Sequence, residues 1–312
     1  LRQGDVPSGS AIAISGATAR ATILNTWPDG SAKFAIIAGT YTSAGSAVTV
    51  TPSAGSVSAG AALTGSSVQS AMGANTAVFG CGAFGTVTFS GSDFASPFKT
   101  HFASDYCGEF LYRKAVGSDA HLVAWLAVRV WASGAVEVLP WIENGYFNVA
   151  SPTSKSATYT FTLGGTSRFS AAIDLPNHCR TPLVSGTVLS HWLASDPGVR
   201  PTHDAAYLQA TELVPTYFGT VAPSAAAVTG LPSTFAPLQQ GGYPASMGSA
   251  GYDPSIGLLP EWDVLALTTT ATTVWAAIQR NAYSAGRYGI HHRDETTNRV
   301  PCFSSYPTTV LG

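Results

Sequence analysis

The stretch that decides the fold is His121-Leu122-Val123-Ala124-Trp125-Leu126-Ala127-Val128-Arg129-Val130-Trp131, then Ala132-Ser133-Gly134, then Ala135-Val136-Glu137-Val138-Leu139-Pro140-Trp141-Ile142. Successive side chains of an extended chain point to opposite faces. Leu122, Ala124, Leu126, Val128 and Val130 therefore share one face, and Val123, Trp125, Ala127, Arg129 and Trp131 share the other. Both faces are largely apolar, which places this strand between two layers. Ser133-Gly134 supplies a tight turn, so the pair reads as an antiparallel hairpin.

Outward from that hairpin the same grammar repeats. Residues 21–27 and 33–38 flank Pro28-Asp29-Gly30-Ser31, where proline fixes φ, aspartate caps the turn and glycine takes the positive φ. Residues 47–51 and 85–89 are further strand candidates, and 156–163 alternates Tyr159 and Phe161 with threonines. Short strands with regular turn signals predict an antiparallel β-sandwich over residues 1–175. Residues 52–76 hold few large side chains and read as a loop or a loosely packed edge.

Residues 176–256 are proline-punctuated and irregular, with Trp192, Tyr207, Tyr217, Phe218 and Tyr243 scattered through them. Such stretches form functional walls, lids or linkers. Over 257–312 the period changes: Leu258, Leu259, Trp262, Leu265 and Ala266 recur at helical steps. Pro260 suits a first turn, with Glu261 and Asp263 near its positive end. Thr270 or Thr272 caps a second helix bearing Val274, Trp275, Ile278 and Ala282, stopped by Gly286. One αα-hairpin cannot bury its own apolar faces, so it must pack on the β domain or on further helices. The expected class is mainly β with a smaller α part.

Composition narrows the function classes. Of 312 residues only 10% are charged, against roughly 25% in an average globular protein. Net charge is -2 and no basic run exists, which argues against nucleic-acid binding. Apolar stretches fall short of the roughly 20 residues of a membrane-spanning helix, so no membrane insertion is expected. At 45% hydrophobic and 11% aromatic the chain has enough to bury, so disorder is not expected. Four lysines and abundant Ser, Thr and Gly resemble secreted or virion-surface β proteins, so an extracellular or virion-surface location is expected. A start at Leu1, without a charged and then apolar leader, reads as a processed or excised piece. Cys81, Cys107, Cys179 and Cys302 allow three pairings. Buried thiols are the first expectation, with Cys81–Cys107 the favoured bridge if one forms.

Two stretches carry a resemblance. The first is Gly4-Asp5-Val6-Pro7-Ser8-Gly9 with Trp27-Pro28-Asp29-Gly30-Ser31-Ala32-Lys33-Phe34-Ala35. The second is Gly257-Leu258-Leu259-Pro260-Glu261-Trp262, then 281–286, then Tyr288-Gly289-Ile290-His291-His292-Arg293-Asp294. They are similar to the opening of large bacterial and phage proteins in which an N-terminal β-sandwich leads into an α/α-toroid of polysaccharide-lyase type. The resemblance implies that residues 257–312 begin such a toroid, incomplete within this chain. It also implies β-elimination on an acidic polysaccharide. The alternative is a non-catalytic virion structural or adsorption module that binds a surface glycan. Partners would be a polysaccharide or glycan, and other virion or surface proteins.

The densest group of titratable side chains is His291-His292-Arg293-Asp294-Glu295. Elimination from a uronic acid needs a cation to neutralise the carboxylate, a base for the α-proton and an acid for the leaving oxygen. Arg293 or Arg287 suits the first role, His291 or His292 the second and Tyr288 the third. Tyr243, Tyr252, Trp262, Arg287 and Asp294 are the expected substrate-binding residues. Glu261 and Asp263 stand two apart on a helix and so do not face each other as hydrolytic carboxylates must. His191 with His203-Asp204 lacks tight ligand spacing, so no metal and no cofactor is expected. Around Asp105-Tyr106 and His101, the rings of Phe98, Phe102 and Phe110 could stack on sugars or fill a core.

Overall fold

The computed structural model describes residues 1–41, 51–56, 60–117, 119, 121–199, 204–214, 225–242, 259–268 and 272–307. The chain is mainly β, 39% strand and 19% helix, with antiparallel sheets. Four strands come first: β1 (Ala11–Ser15), β2 (Thr18–Thr26), β3 (Ala32–Thr40) and β4 (Thr51–Gly55). They pair as β1 with β4 and β2 with β3, rather than joining the main sheets. The β2–β3 turn forms as its residues dictate. Gly30 sits at φ 82°, and Asp29 accepts hydrogen bonds from the Ser31 amide at 2.9 Å and hydroxyl at 2.6 Å. Val6, Ile12 and Ala32 form a small core of their own. Ala38 packs with Phe102 and Cys107, and Arg20 pairs with Asp105 at 3.3 Å, joining this unit to the rest.

Next come α1 (Gly65–Met72), β5 (Ala77–Cys81), β6 (Thr86–Phe89), β7 (Lys99–Ala103), β8 (Cys107–Ala115), β9 (Leu122–Trp131) and β10 (Val136–Asn144). They are followed by β11 (Lys155–Leu163), β12 (Thr166–Leu175), β13 (Cys179–Pro182) and β14 (His191–Trp192). One sheet runs β12-β11-β5-β6, the other β13-β10-β9-β8-β7 with β14 also on β10. Their inner faces share one core. Phe79, Tyr159 and Phe161 come from the first sheet, and Phe110, Leu122, Leu126 and Ile142 from the second. The β9–β10 hairpin pairs Trp125 with Trp141 and turns at Gly134, φ 84°.

Three expectations need correcting. Within the glycine- and serine-rich stretch 52–76, β4 is a largely exposed strand paired with β1 alone, but Gly65–Met72 is neither loop nor loose edge. Ser67 accepts from the Thr64 amide at 3.0 Å to start α1, whose Val68 and Met72 are fully buried in the core one helical turn apart. The larger sheet continues beyond residue 175, because β13 and β14 both pair with β10. The cysteines are free, as first expected, and Cys81 in the main core, Cys107 at the junction with the N-terminal unit and Cys179 are buried; the correction concerns the fourth. Cys302 is exposed.

Helices α2 (Ala205–Ala210), α3 (Ala225–Thr229), α4 (Glu261–Thr268) and α5 (Thr272–Ser284) complete the chain, and α5 runs into a 3-10 turn at Ala285–Arg287. Leu265 and Ala266 of α4 pack against Val274 of α5, as their spacing predicted. Ala282 is exposed, and the buried stripe of α5 runs instead through Val274, Ala277, Asn281 and Ser284. The hairpin docks on the β unit: Tyr283 meets Trp141 edge-on at 5.6 Å and donates to the Leu189 carbonyl at 2.6 Å.

Candidate functional site

The outward face of the larger sheet is built in rows. Arg113, Trp125, Trp141 and Pro182 stand opposite one another across β8, β9, β10 and β13, and the next row sets Glu143 against Arg180. The second apolar face of β9 is therefore only partly covered. Above it lies a cavity of about 700 Å³, within the roughly 300–1,000 Å³ range of small-ligand sites. Phe98, Trp125 and Trp141 supply its aromatic surface, Lys99, Arg180, Arg293 and Arg299 its charge, and His101 a further polar ring.

Two glycines allow a remote segment to form one wall. A Cβ on Gly286 would lie 2.3 Å from the Arg180 carbonyl, and one on Gly145 would lie 2.7 Å from the His291 carbonyl. With nothing there, the Arg293 amide donates to the Gly145 carbonyl at 2.8 Å and the Phe147 amide to the Arg293 carbonyl at 2.9 Å. Residues 291–293 thereby extend the sheet end, with Tyr146 and Arg293 bridged in parallel.

The two central arginines differ. Arg293 chelates fully buried Glu143 through Nε and, at 3.0 Å, Nη2, and its guanidinium lies 4.4 Å over Trp125. Its charge is met from within the protein. Arg180 lies 4.6 Å over Trp141, and its buried Nε has no hydrogen-bond partner among the described residues. Burial lowers its pKa, with Glu143 opposing and Arg293 adding to the shift. An arginine so stacked keeps its planar fork for an incoming anion.

Behind this wall sit three histidines. The His291 amide donates to the His178 carbonyl at 3.0 Å, and the His178 and His292 rings are 4.1 Å apart. Burial first, then Arg180 and Arg293, pushes His291 down to about 4, so its ring is neutral at pH 7.

Of the residues expected at the site, Arg293 lines the cavity, while His291 and His292 are adjacent in the chain but pack behind it. Tyr288 follows the 3-10 turn, half-buried, with Arg287 5.9 Å over its ring. Asp294 caps its own turn through the Thr296 and Thr297 amides and takes the Tyr306 hydroxyl. Trp262 faces a separate cavity of about 460 Å³ shared with Asn281 and Leu265. Tyr243, Tyr252 and His203 lie outside the described residues. His191 is a core residue, bonded to the Leu183 carbonyl at 2.8 Å and stacked on Phe161. Phe110 is core, Phe102 lies at the junction with the N-terminal unit, and Phe98 reaches the cavity. Trp125, Trp141, Arg180 and Lys99 were not singled out from sequence as site residues. The one available signal was the alternation that puts two tryptophans on the outward face of the central hairpin.

Among the described residues no group of three or more His, Cys, Asp or Glu is placed to hold a metal, and no helix is long and apolar enough to cross a membrane. No protein-family model, curated protein or solved structure matches the chain.

Proposed function

We propose that this is a carbohydrate-directed module that seats an acidic sugar in the cavity on the outward face of the larger sheet. The observation that carries the reading is Arg180, stacked on Trp141 beside Trp125 with its buried Nε unpartnered among the described residues. The exposed Phe98 ring suits the apolar face of a sugar, and a guanidinium with a free edge takes a carboxylate in bidentate fashion. Lys99 and His101 line the same space. Arg293 helps fix the wall, since Glu143 already satisfies it.

Calorimetric titration with a soluble uronic-acid polymer and with a neutral glucan tests this. Binding of the first alone is expected, and Arg180→Ala should weaken it by at least about tenfold, as loss of a charge-assisted bond would. No binding of the acidic polymer, or equal binding by the variant, overturns the reading.

A second reading, β-elimination, is favoured by His291, neutral at pH 7 and electrostatically coupled to both arginines. Arg180 would neutralise the carboxylate, while His291 as base and Tyr288 as acid would reach the sugar only once the wall in front of them moves. No gain in ultraviolet absorbance from unsaturated product, and no new reducing ends, removes this step and leaves binding intact. The α4–α5 hairpin as the start of an α/α-toroid belongs to the same proposal, as does a place on a virion or other extracellular surface.

A further inference from the structure

The segment 288–300 forms a wall of the cavity, held to the sheet by Arg293 and by backbone hydrogen bonds beside Gly145 and His178, and histidines cluster at that last attachment. His178 ends the β12–β13 turn at φ 58°, a left-handed conformation that non-glycine residues seldom adopt. That conformation aims its carbonyl at the His291 amide, while its own amide donates to the Asn144 carbonyl at 2.6 Å. Its ring lies 4.1 Å from that of His292, tilted by 49°, and Phe147 closes edge-on over His292 at 5.9 Å. Nδ1 of His178, Nδ1 of His292 and Nε2 of His291 are all buried without partners among the described residues. Rings in this arrangement pack well only while neutral.

The surrounding charge makes protonation costly. From β13 comes Arg180, whose buried Nε has no hydrogen-bond partner among the described residues, and from the segment itself comes Arg293. From β10 comes Glu143, already chelated by Arg293. His121, just before β9, lowers the His178 pKa further, and Arg287, the last residue of the 3-10 turn, acts on the adjacent Cys179. The segment's own acids are occupied, Asp294 by its turn and Tyr306, and Glu295 by the Asn148 amide. Among the described residues no uncommitted carboxylate meets the rings.

We propose that His178, packed against His292, is an acid-operated latch, closed while the His178 ring is neutral, whose protonation loosens segment 288–300 and opens the wall of the cavity. As regulation of that site, it rests on the acidic-glycan reading, although the opening itself does not depend on any ligand. Both His178 and His291 are held below their ordinary value, His178 by burial and then by His292. A histidine so depressed stabilises the closed form fully above its ordinary value of about 6.5. That contribution is lost as pH falls toward the depressed value. The window therefore lies on the acid side of neutrality.

Amide hydrogen exchange, corrected for the intrinsic pH dependence of exchange, reads the latch directly. Between about pH 7 and about pH 4.5, protection of the segment's amides should fall at least tenfold while the β9–β10 amides stay protected. His178→Asn keeps a residue tolerant of positive φ and removes the titrating ring; His292→Gln removes the neighbour that helps hold His178 low without touching the strained turn. His178→Asn should hold its protection at the acid pH, and His292→Gln should lose less of it than the natural protein. Unchanged protection in the natural protein, or equal opening in both variants, overturns the latch. Absence of acidic-glycan binding at pH 7, with the latch shut, instead overturns the glycan reading and leaves the latch standing.

Discussion

At the scale of single residues, the pair Glu143–Arg293 couples the cavity wall to the sheet. Glu143 is fully buried and opposite Arg180, so its carboxylate offsets two guanidiniums. Glu143→Gln keeps the shape and removes the charge, leaving Arg293 over Trp125 without a counter-ion. Breaking a buried pair this way costs about 3 kcal/mol, the lower end of the usual range because Arg293 keeps some access to water. Urea unfolding should show that loss, and a change below about 1 kcal/mol would mean water already serves Arg293 there. Arg293 was legible in the sequence because ionisable groups are scarce in this chain and cluster at 287–295. Its partner was not legible, since 150 residues separate the two and only strand register brings them together. The same holds for Arg180, whose importance arises from Trp141 beneath it and not from its neighbours in the chain.

At the scale of elements, the approach of the α5 terminus to β13 sets the site. Gly286 leaves room for the Arg180 carbonyl where a methyl group would sit 2.3 Å away, and the contact is with backbone, which cannot swing aside. Gly286→Ala should force the 3-10 turn off the strand at a cost of about 2 kcal/mol, as overpacking does. The variant should also bind acidic glycan less well, because Arg180 shifts with its strand. Normal stability and normal binding together would show that the turn rides freely on β13. Hairpins β2–β3 and β9–β10 could be read from the sequence because their turns carry Pro-Asp-Gly-Ser and Ser-Gly, residues with a mechanical role. Helix α1 could not. Its two core residues, Val68 and Met72, stand among serines and glycines whose composition suggests a loop, and tertiary burial overrides that weak propensity. Met72→Ala tests the point directly: a fully buried methionine truncated in a helix should cost about 3 kcal/mol, whereas a loose edge would cost almost nothing.

At the scale of the molecule, three buried thiols report on three regions of unequal strength. Cys81 sits within the large core shared by the two main sheets, and burial pushes its thiol up to about 12. Cys107, also pushed up to about 12 by burial, belongs to the small cluster of Ala38 and Phe102 that joins the N-terminal strands to the larger sheet. Cys179 donates to the Arg287 carbonyl at 2.8 Å, at the seam between β13 and the helical region, and burial raises its pKa too. Cys302 is exposed, and the Ser304 hydroxyl beside it lowers its pKa. Since the thiolate is the reactive form, alkylation of the native protein at neutral pH should modify Cys302 alone. Apolar burial scales with cluster size, so the N-terminal unit is held to the rest far more weakly than the two sheets are held to each other. In rising urea, Cys107 should become reactive at a lower concentration than Cys81, with strand exchange in the main core still slow. Peptide mapping of the alkylated protein gives both midpoints. Coincident midpoints would mean that the Arg20–Asp105 pair and the Ala38 cluster bind the N-terminal strands into one cooperative unit with the sheets that carry the cavity.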